Sequence, residues 1–337
     1  MTDFNVFTLC LKKLVEKQNL TQQESCQVLD VIMTGVISST QISAFLTALT
    51  IKGETVEEIT GFVQSMRNHS LKVNINSPNL IDTAGTGGDG KNTFNISTCS
   101  ALVAAAAGAV VAKHGNKSIT GKSGSSDVLD CLGVEIISNP KKAKQALEEI
   151  GIAFLFAPVF HPSMKVVAQI RKNLGFKTVF NLLGPLTNPA QAQRQLIGVY
   201  DKKALEKLAQ VLVLLGTKKA MLVSSDLDEL SITQETVVYE IEHNQFERYV
   251  LQPKYYGFPE STLKEIQVHS IEESAKIILD VLNGKQGHPR NIVALNTGAA
   301  LYVSGIAKTI EKGIGLAETV LDNGKALEKL ELLKNFK

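Results

Sequence analysis

The sequence lacks the marks of a disulfide-bonded, zinc-binding or membrane-spanning protein. It has four cysteines and no C-x-x-C pair, which favours reduced thiols in a cytosolic protein over a disulfide frame or a zinc site. Its longest apolar run, residues 101–112, is much shorter than the roughly 20 residues that span a bilayer. The N-terminus shows no basic segment before an apolar run and no small-residue cleavage pattern, so we expect no signal peptide and a cytoplasmic location.

The sequence also lacks an excess of charge of either sign. Its 35 Lys and Arg residues nearly balance its 33 Asp and Glu residues, so no global field favours nucleic acid or an anionic membrane as the main partner. Any anion-binding site must therefore be local. With 337 residues and 44% hydrophobic content, the chain is long enough for a globular protein of two domains.

The first seventy residues have the pattern of short helices. An apolar stripe runs along residues 7–15, and capping boxes open at Thr21 and Thr55. Gly35 and Gly53 stand where two of these helices should stop. We therefore predict four short helices that form a small leading domain.

Beyond the leading helices, the pattern changes to alternating strands and helices. Short apolar segments recur as NLIDTAG, AVVAK, IAFLFA, RQLIGVY and AMLVSS, which predicts a mostly parallel sheet. Residues 235–252 alternate polar and apolar side chains, as in an antiparallel hairpin, and helical patterns fill the last seventy residues. The predicted fold class is α/β, with a small N-terminal helical domain and a larger α/β domain built on a mostly parallel central sheet.

Residues 82–98, DTAGTGGDGKNTFNIST, partly match two phosphate-binding motifs. GTGGDG fits the dinucleotide pattern G-x-G-x-x-G, but Lys113 stands near the place where that fold requires an acidic residue. GTGGDGK nearly completes a P-loop, but Asn92 stands where a Ser or Thr must bind Mg²⁺. Both motifs are therefore rejected. Two interpretations remain: the glycine loop binds a different phosphate compound, or it is only a turn that joins a strand to a helix.

Three features favour a ligand at this glycine loop. Asp89 places a carboxylate where a bare phosphate would be repelled but a metal-bound phosphate would not. Asn95, Ser97 and Thr98 present side-chain donors and free backbone N–H groups at the start of an alanine-rich helix, where the helix dipole favours anions. The face of that helix is made of Ala and Gly, so a bulky ligand can approach its N-terminus.

A second loop, KHGNKSITGKSGSSD, follows the next predicted strand. It contains Lys113, Lys117 and Lys122 among hydroxyl groups and glycines, and strand ends are where open α/β sheets bind ligands. Together with the glycine loop it would bind a ligand that carries several phosphates, to which Ser125 could also donate. A solvated basic loop is the alternative, and His114 taken alone is more typical of a structural residue.

Two further groups of charged residues suggest a metal ion and a carboxylate ligand. In MLVSSDLDEL the carboxylates follow a predicted strand, and Mg²⁺ prefers one or two protein oxygens supplemented by water and phosphate. We assign Asp228 and Glu229 to the metal, with acidic residues at a helix start as the alternative. Arg171 lies on an amphipathic helix and can hold a carboxylate bidentately, although a surface arginine is the more ordinary interpretation.

Seven short motifs together carry a resemblance to a known family. In chain order they are GTGGD, NTFNIST, KHGN, GSSDVL, HPSMK, FNLLGPLTNP and LDEL. In this order, over essentially the whole chain, they resemble the anthranilate phosphoribosyltransferases of tryptophan biosynthesis. The resemblance implies transfer of the phosphoribosyl group of 5-phosphoribosyl 1-diphosphate to the amine of anthranilate, with Mg²⁺ as cofactor. It also implies a homodimer formed through the helical domain, and an active site at the hinge between the two domains.

The resemblance also implies domain boundaries and residue roles. The helical domain would cover residues 1–72, joined by a helical hinge segment near 161–188, and the α/β domain that binds donor and metal would cover residues 73–160 and 189–337. The phosphoribosyl donor would contact Gly85, Gly88, Asp89, Thr93, Asn95, Ile96, Ser97, Thr98, Lys113 and Ser125. Anthranilate would lie against Gly85, Asn116, Arg171, His114, His161, Gly184 and Pro185. Mg²⁺ would be held by Ser97, Asp228 and Glu229.

The chain departs from the family pattern at a few positions. Lys117 and Lys177 stand where the family is expected to have Arg, so the charge is kept but the bidentate geometry is lost. These two changes affect affinity for the ligands more than the reaction itself. Asp226 stands before LDE, where glycine is more usual.

Two other functions are compatible with the same architecture. A pyrimidine nucleoside phosphorylase also works at ribose C1, but it needs no acidic metal pair, so LDEL argues against it. A non-catalytic relative that binds nucleic acid should have a basic surface and eroded glycine loops. The near-neutral charge and the intact loops of this chain argue against that alternative.

Overall fold

A computed structural model describes residues 3–117, 123–259 and 261–336 of the chain. Its N-terminal part consists of four helices, α1 (Asp3–Val15), α2 (Gln22–Met33), α3 (Ser39–Lys52) and α4 (Val56–Asn68). The capping boxes predicted at Thr21 and Thr55 both form, because each threonine side chain accepts the backbone N–H of the glutamate three residues later. The prediction of four leading helices is confirmed.

A seven-stranded sheet forms the centre of the remaining chain. Its strands are β1 (Leu80–Asp82), β2 (Val110–Gly115), β3 (Ile152–Phe156), β4 (Arg194–Gly198), β5 (Lys219–Ser224), β6 (Thr236–Glu242) and β7 (Gln245–Leu251). They lie in the order β3-β2-β1-β4-β5-β6-β7. The first five strands of that order pair in parallel, whereas β6 pairs antiparallel with both β5 and β7. The predicted fold class and the mostly parallel sheet are therefore confirmed.

The β6–β7 hairpin forms one edge of this sheet. It turns through His243 and Asn244, whose φ angles are 54° and 60°. Two consecutive residues with positive φ are typical of a type I′ turn, whose twist matches that of the paired strands. The antiparallel hairpin predicted for residues 235–252 is therefore confirmed.

Helices connect and cover the strands. Between β1 and β4 they are α5 (Ile96–Ala106), α6 (Ser125–Cys131), α7 (Pro140–Glu149), α8 (Ala157–Phe160), α9 (Lys165–Leu174) and α10 (Phe180–Leu183). Helix α11 (Leu205–Leu214) precedes β5, and α12 (Ile271–Leu282), α13 (His288–Ser304), α14 (Ile310–Asp322) and α15 (Lys325–Asn335) follow β7. Helices α13 and α14 cross closely, because a Cβ on Gly313 would lie 2.9 Å from the carbonyl carbon of Gly298.

Alternate residues of β4, a central strand, point into two hydrophobic cores on opposite faces of the sheet. Leu196 of β4 packs into the core that contains α5 and α13. Its neighbour Ile197 packs into the second core, which also contains residues of α1–α4 and of α9. Helices α9 and α10 therefore belong to the same core as the N-terminal helices, and this connection brings the segment that carries Arg171 close to the sheet.

Two expectations from composition can be compared with the fold. Cys10, Cys26, Cys99 and Cys131 are all free thiols, as predicted from their scattered spacing. In the part of the chain that the structure describes, no helix combines the length and apolar character that crossing a membrane requires.

Candidate active site at the carboxyl edge of the sheet

The predicted site residues cluster where the strand order reverses. The chain runs outward in one direction through β1, β2 and β3, and in the other through β4 and β5. In open α/β sheets, such a switch point leaves a crevice at the carboxyl ends of the strands, where ligands bind. The glycine loop follows β1 there, and Gly85 still pairs with Gly198 at the end of β4. The topology therefore brings the loops after β1, β2, β4 and β5 together.

The glycine loop is built from residues with positive φ. Gly87, Gly88 and Gly90 have φ angles of 62°, 84° and 69°, which glycine adopts without the steric cost of a Cβ. The Gly87 N–H donates to Asp228 Oδ2 at 2.9 Å. This bond joins the loop after β1 to the acidic pair after β5, although the two residues are far apart in sequence.

Helix α5 begins directly after the glycine loop. Its first i→i−4 hydrogen bond runs from the Cys99 N–H to the Asn95 carbonyl oxygen, so the N–H groups of Ser97 and Thr98 precede the helical ladder and are free to bind an anion. Ile96 and Thr98 are each 2% exposed. A ligand could therefore contact these two residues mainly through their backbone groups.

The structure assigns Asn95 a different role from a freely presented donor. Its side-chain oxygen accepts hydrogen bonds from Ser123 Oγ at 2.6 Å and Ser274 Oγ at 2.8 Å, and its nitrogen donates to the Ser123 carbonyl oxygen. The amide thus links the glycine loop to the second loop and to α12. Sequence reasoning missed Ser123 and Ser274 as partners, because no motif marks a serine at either place.

Lys113 lies inside the site, at the end of β2. It is 4% exposed, and its ammonium donates to the Thr83 carbonyl oxygen at 2.7 Å and to Ser97 Oγ at 3.2 Å. Burial lowers the pKa of Lys113, while the nearby carboxylates of Asp82, Glu229 and Asp228 oppose that shift. Lys113 therefore links the start of α5 to the acidic pair by charge.

The acidic pair is half-buried, and its two carboxylates repel each other. Burial raises the pKa of Asp228, and Asp89 raises it further; burial also raises the pKa of Glu229, and the charge of Asp228 adds to the shift. Such carboxylates gain most from a cation beside them. No group of three acidic, His or Cys side chains within the described ranges could hold a metal alone. The pair fits Mg²⁺, which completes its shell with water and phosphate oxygens.

The histidines of the site are uncharged. Burial lowers the pKa of His114 to about 3 and that of His161 to about 4. Their rings lie 5.1 Å apart, and His114 Nδ1 is 3.1 Å from the Gly184 carbonyl oxygen. The Nε2 atoms of both rings are buried without a hydrogen-bond partner, so the site contains two neutral imidazoles that each have one unpaired nitrogen.

The remaining predicted residues contact neighbouring segments of the chain. The Arg171 guanidinium stacks 5.3 Å from the Phe180 ring centroid, and it takes part in none of the ion pairs formed by described residues. The Asn116 carbonyl oxygen accepts a hydrogen bond from Ser125 Oγ at 3.2 Å. Thr93 forms an isolated bridge with Gln267. The Pro185 carbonyl oxygen accepts a hydrogen bond from Gln195, and Lys122 lies outside the described residues.

Lys177 and Tyr200 are two contacts of the glycine loop that sequence reasoning did not assign. Lys177 Nζ donates to the Gly88 carbonyl oxygen at 3.3 Å and sits 3.2 Å from the Tyr200 ring centroid. The only sequence signal for Lys177 was its departure from the family pattern. Tyr200, at the end of RQLIGVY, gave no signal at all.

The half-buried acidic pair predicts a pH dependence of stability. A carboxyl whose pKa is raised by folding holds a proton that the unfolded chain has lost, so its contribution to stability falls as pH rises above about 4. Asp228→Asn with Glu229→Gln should remove this effect. The free energy of unfolding of the double variant minus that of the wild type should increase between pH 5 and pH 8, by an amount on the order of 2 kcal/mol. Urea unfolding without Mg²⁺ measures this difference. The contributions of the buried histidines to the pH dependence cancel in it, because both proteins contain them. A difference that shrinks with pH would contradict the prediction.

Two family models match most of the chain. The model described as the helical bundle domain of a glycosyl transferase family matches residues 9–70. The model described as the a/b domain of a glycosyl transferase family matches residues 77–327. The two matches follow the observed order, in which four helices precede the α/β part.

Curated relatives and solved structures agree with these models. The anthranilate phosphoribosyltransferase of Acetivibrio thermocellus is 49% identical, over 97% of this chain and 95% of the relative. The enzyme of that name from Thermoanaerobacter sp. is 48% identical over 95% of both chains. A crystal structure of anthranilate phosphoribosyltransferase from Thermus thermophilus superposes with a TM-score of 0.92 and 37% identity, covering 97% of this chain and 98% of that one. The structure of the Saccharomyces cerevisiae enzyme in complex with PRPP and Mg superposes with a TM-score of 0.89 and 31% sequence identity. That match covers 97% of this chain and 96% of the yeast chain.

Proposed function

The chain belongs to the anthranilate phosphoribosyltransferase family, and from this premise we propose how its own residues carry out the reaction of tryptophan biosynthesis. In that reaction the phosphoribosyl group of 5-phosphoribosyl 1-diphosphate passes to the amine of anthranilate, and pyrophosphate leaves. One observation supports the proposal above others: the glycine loop, the start of α5, Lys113 and the acidic pair meet at one edge of the sheet. This combination suits a ligand with several phosphates and a bound cation.

The donor-binding part of the proposal uses both loops and the start of α5. The backbone N–H groups of Ser97 and Thr98 would bind phosphate oxygens, because no helical carbonyl group accepts them. N–H groups of the glycine loop other than those of Thr86 and Gly87 would add to them. Lys113 would add a positive charge from beneath, and Ser125 a hydroxyl from the second loop. Asn95 would act by holding these segments together, as its bonds to Ser123 and Ser274 indicate. The proposed donor contacts are those named from the resemblance: Gly85, Gly88, Asp89, Thr93, Asn95, Ile96, Ser97, Thr98, Lys113 and Ser125.

The metal-binding part of the proposal assigns Mg²⁺ to Ser97, Asp228 and Glu229. Mg²⁺ would neutralise charge on the diphosphate as it leaves. The raised pKa values of the two carboxyls support this assignment, because their repulsion falls when a cation is bound. The complex of the Saccharomyces cerevisiae relative with PRPP and Mg also supports it.

The acceptor part of the proposal places anthranilate beside the neutral histidines. Arg171 has no carboxylate partner among the described ion pairs, so it can bind the anthranilate carboxylate. His114 and His161 would present uncharged rings to the aromatic ring of the substrate, and Gly85, Asn116, Gly184 and Pro185 would line the remaining walls. A complex of the Saccharomyces cerevisiae relative with 4-fluoroanthranilate supports this class of ligand.

The proposed mechanism depends on position and charge rather than on a nucleophilic side chain. An aryl amine is already neutral at pH 7, so it can attack ribose C1 without a strong base. The sugar gains oxocarbenium character as the bond to the diphosphate breaks, and groups that stabilise the leaving diphosphate lower the barrier. Lys113 and the N–H groups at the start of α5 are the residues of this chain placed to do so.

A fluorescence assay tests the proposed function. Anthranilate fluorescence should fall when the protein, 5-phosphoribosyl 1-diphosphate and Mg²⁺ are all present, and should stay constant when any one is omitted. Phosphorolysis would not consume anthranilate, so the phosphorylase alternative is tested separately, by following release of the free base from a pyrimidine nucleoside and inorganic phosphate. Constant fluorescence in the complete mixture, with a folded protein, would overturn the proposed function.

Arg171→Ala should act mainly on the acceptor. Losing a charge-assisted, bidentate contact of about 1.5–3 kcal/mol should raise the KM for anthranilate by about ten- to a hundredfold. The KM for the donor should change by less than about threefold, because Arg171 contacts no part of the glycine loop. Steady-state kinetics with each substrate varied in turn measure both constants. An unchanged KM for anthranilate would refute the assignment, and Lys172→Ala, an exposed neighbour on α9, is the matched control.

We further propose a homodimer formed through the helical domain, residues 1–72. Helix α1 leaves Phe4 57%, Leu9 53% and Val15 68% exposed, and exposed apolar side chains of this size on one helix are typical of an interface. Light scattering should give twice the chain mass of 36.5 kDa, and a value near the chain mass would contradict the proposal.

The domain division and the cellular location are proposals of the same kind. Helices α9 and α10 share the core of α1–α4, which supports a hinge segment near residues 161–188 between the helical domain and an α/β domain of residues 73–160 and 189–337. Limited proteolysis with and without substrates would locate the hinge. The free thiols support a cytoplasmic location, which fractionation of expressing cells would test.

A further inference from the structure

The glycine loop is held in place from two sides. On the sheet side, the Thr86 N–H donates to the Gly198 carbonyl oxygen at 2.8 Å. Thr86 Oγ1 in turn accepts the backbone N–H of Tyr200 at 3.1 Å. On the other side, Lys177 reaches from the segment after α9 and donates to the Gly88 carbonyl oxygen at 3.3 Å. Two nearby parts of the loop are thus tied to different elements of the fold.

Tyr200 takes part in both of these contacts. Its main chain contacts Thr86, and its ring lies under the Lys177 ammonium, 3.2 Å from the ring centroid. A cation at this distance over an aromatic face is attracted by the ring quadrupole. Lys177 forms none of the ion pairs found among the described residues. Its charge is therefore not neutralised by a carboxylate, and the tyrosine ring directs it toward Gly88.

Lys177 also belongs to the acceptor half of the proposed site. It follows α9, which carries Arg171, and Gly175 ends that helix in a left-handed conformation with φ of 69°. Phe180, three residues after Lys177, packs under the Arg171 guanidinium. One short segment therefore carries both the arginine proposed for anthranilate and the lysine that contacts the donor loop.

We propose that Lys177 and Tyr200 form a loop clamp, a positioning pair that holds the glycine loop in the shape that binds the phosphoribosyl donor. The clamp acts through the Gly88 carbonyl group and touches no reacting atom. Ordering a loop before its ligand arrives lowers the entropic cost of binding, and a positive charge beside the loop also attracts an anionic ligand. The proposal rests on the proposed function only in naming the donor as the ligand of the loop.

Kinetics of matched variants test the clamp. K177M keeps the length of the side chain but removes its charge, and should raise the KM for the donor about tenfold, the size of a lost cation–π contact and hydrogen bond together. The kcat and the KM for anthranilate should change by less than about threefold. K177R keeps the cation and Y200F keeps the ring, so each should restore most of the donor affinity. Y200L should reproduce K177M, and the double variant K177M/Y200L should be little worse than either single variant.

A second measurement does not depend on turnover. Amide hydrogen exchange of a peptide that covers residues 85–90, measured without substrates, should be several-fold faster in K177M and Y200L than in the wild type. K172M is the matched control, because Lys172 is exposed on α9 and contacts nothing in the loop. Its exchange and its kinetics should equal those of the wild type. The Tm of every variant shows whether the fold is intact.

The outcomes separate the clamp from the proposed function. Unchanged loop exchange in K177M and Y200L would overturn the clamp, as would a donor KM in K177R as high as in K177M. A fall in kcat without a rise in the KM for the donor would also overturn it. If the wild-type protein does not consume anthranilate, the proposed function fails, and the exchange data still decide whether Lys177 and Tyr200 hold the loop.

Discussion

Asp228→Asn combined with Glu229→Gln is expected to lower kcat by about 1000-fold or more while the fold stays intact. The two changes keep the shape of both side chains and remove both negative charges, so the metal ion loses its protein carboxylates and the leaving diphosphate loses its neutralisation. Asn at position 228 can still accept the Gly87 N–H. Because both carboxyls are partly desolvated and repel each other, the Tm should stay constant or rise.

The measurement combines kinetics with a stability control. The fluorescence assay gives kcat over a range of Mg²⁺ concentrations, and thermal unfolding gives the Tm. Asp226→Asn is the matched control, since Asp226 Oδ2 accepts the Thr233 hydroxyl and that bond survives in asparagine. Its kcat should stay within about threefold of the wild type. Full activity in the double variant would refute the metal assignment.

Gly198→Ala is expected to be the second most damaging change. A Cβ at position 198 would overlap the Asp228 carbonyl oxygen and lie 2.5 Å from its carbonyl carbon. The backbone of the acidic pair must then move, and Gly198 also holds Thr86 of the glycine loop. A displacement of about 1 Å in such groups costs about 100-fold in kcat/KM, and overpacking should cost about 1–3 kcal/mol of stability.

Steady-state kinetics and urea unfolding check this expectation. Gly315→Ala on α14 is the matched control, because a Cβ there meets nothing within 4 Å and alanine favours a helix by about 0.5–1 kcal/mol. That variant should be as active as the wild type and at least as stable. A Gly198→Ala protein with normal kcat/KM would show that Gly198 does not fix the acidic pair.

The sequence was informative about elements whose cause is local. Thr21 marks the start of a helix because its own side chain caps the helix. The turn at His243 and Asn244 follows from two alternating segments on either side of it. Strand order could not be predicted in the same way, because β1 lies between β2 and β4 through crossovers that no local pattern specifies.

The candidate site shows the same division between local and distant causes. Asp89, Ser97 and Asp228 were predicted as site residues by residue type and by position after strands, since phosphate and metal chemistry restrict both. The P-loop and the dinucleotide-binding motif were rejected because of Asn92 and Lys113, two residues that can be read directly from the sequence. Residue roles, by contrast, depended on the resemblance, because the long separation of Ser97 and Asp228 in sequence carries no information about their distance in space.

Asn95 and Lys177 illustrate what the sequence could not supply. Asn95 was predicted to donate to a ligand, and its side-chain oxygen also accepts a hydrogen bond from Ser274, 179 residues away. Lys177 was considered only as a substitute for arginine, yet it contacts Gly88 and the ring of Tyr200. Neither contact leaves a pattern in the chain, because each joins side chains from elements that meet only after folding.

The sequence by itself determined the helical start, the α/β class and the family that its motifs resemble. All of these follow from residue types and short spacings. Only the tertiary structure decided that Asp228 accepts a hydrogen bond from the glycine loop, that the site histidines are neutral, and that Lys177 and Tyr200 contact the loop. Those properties depend on burial and on contacts between distant segments, and both exist only once the chain has folded.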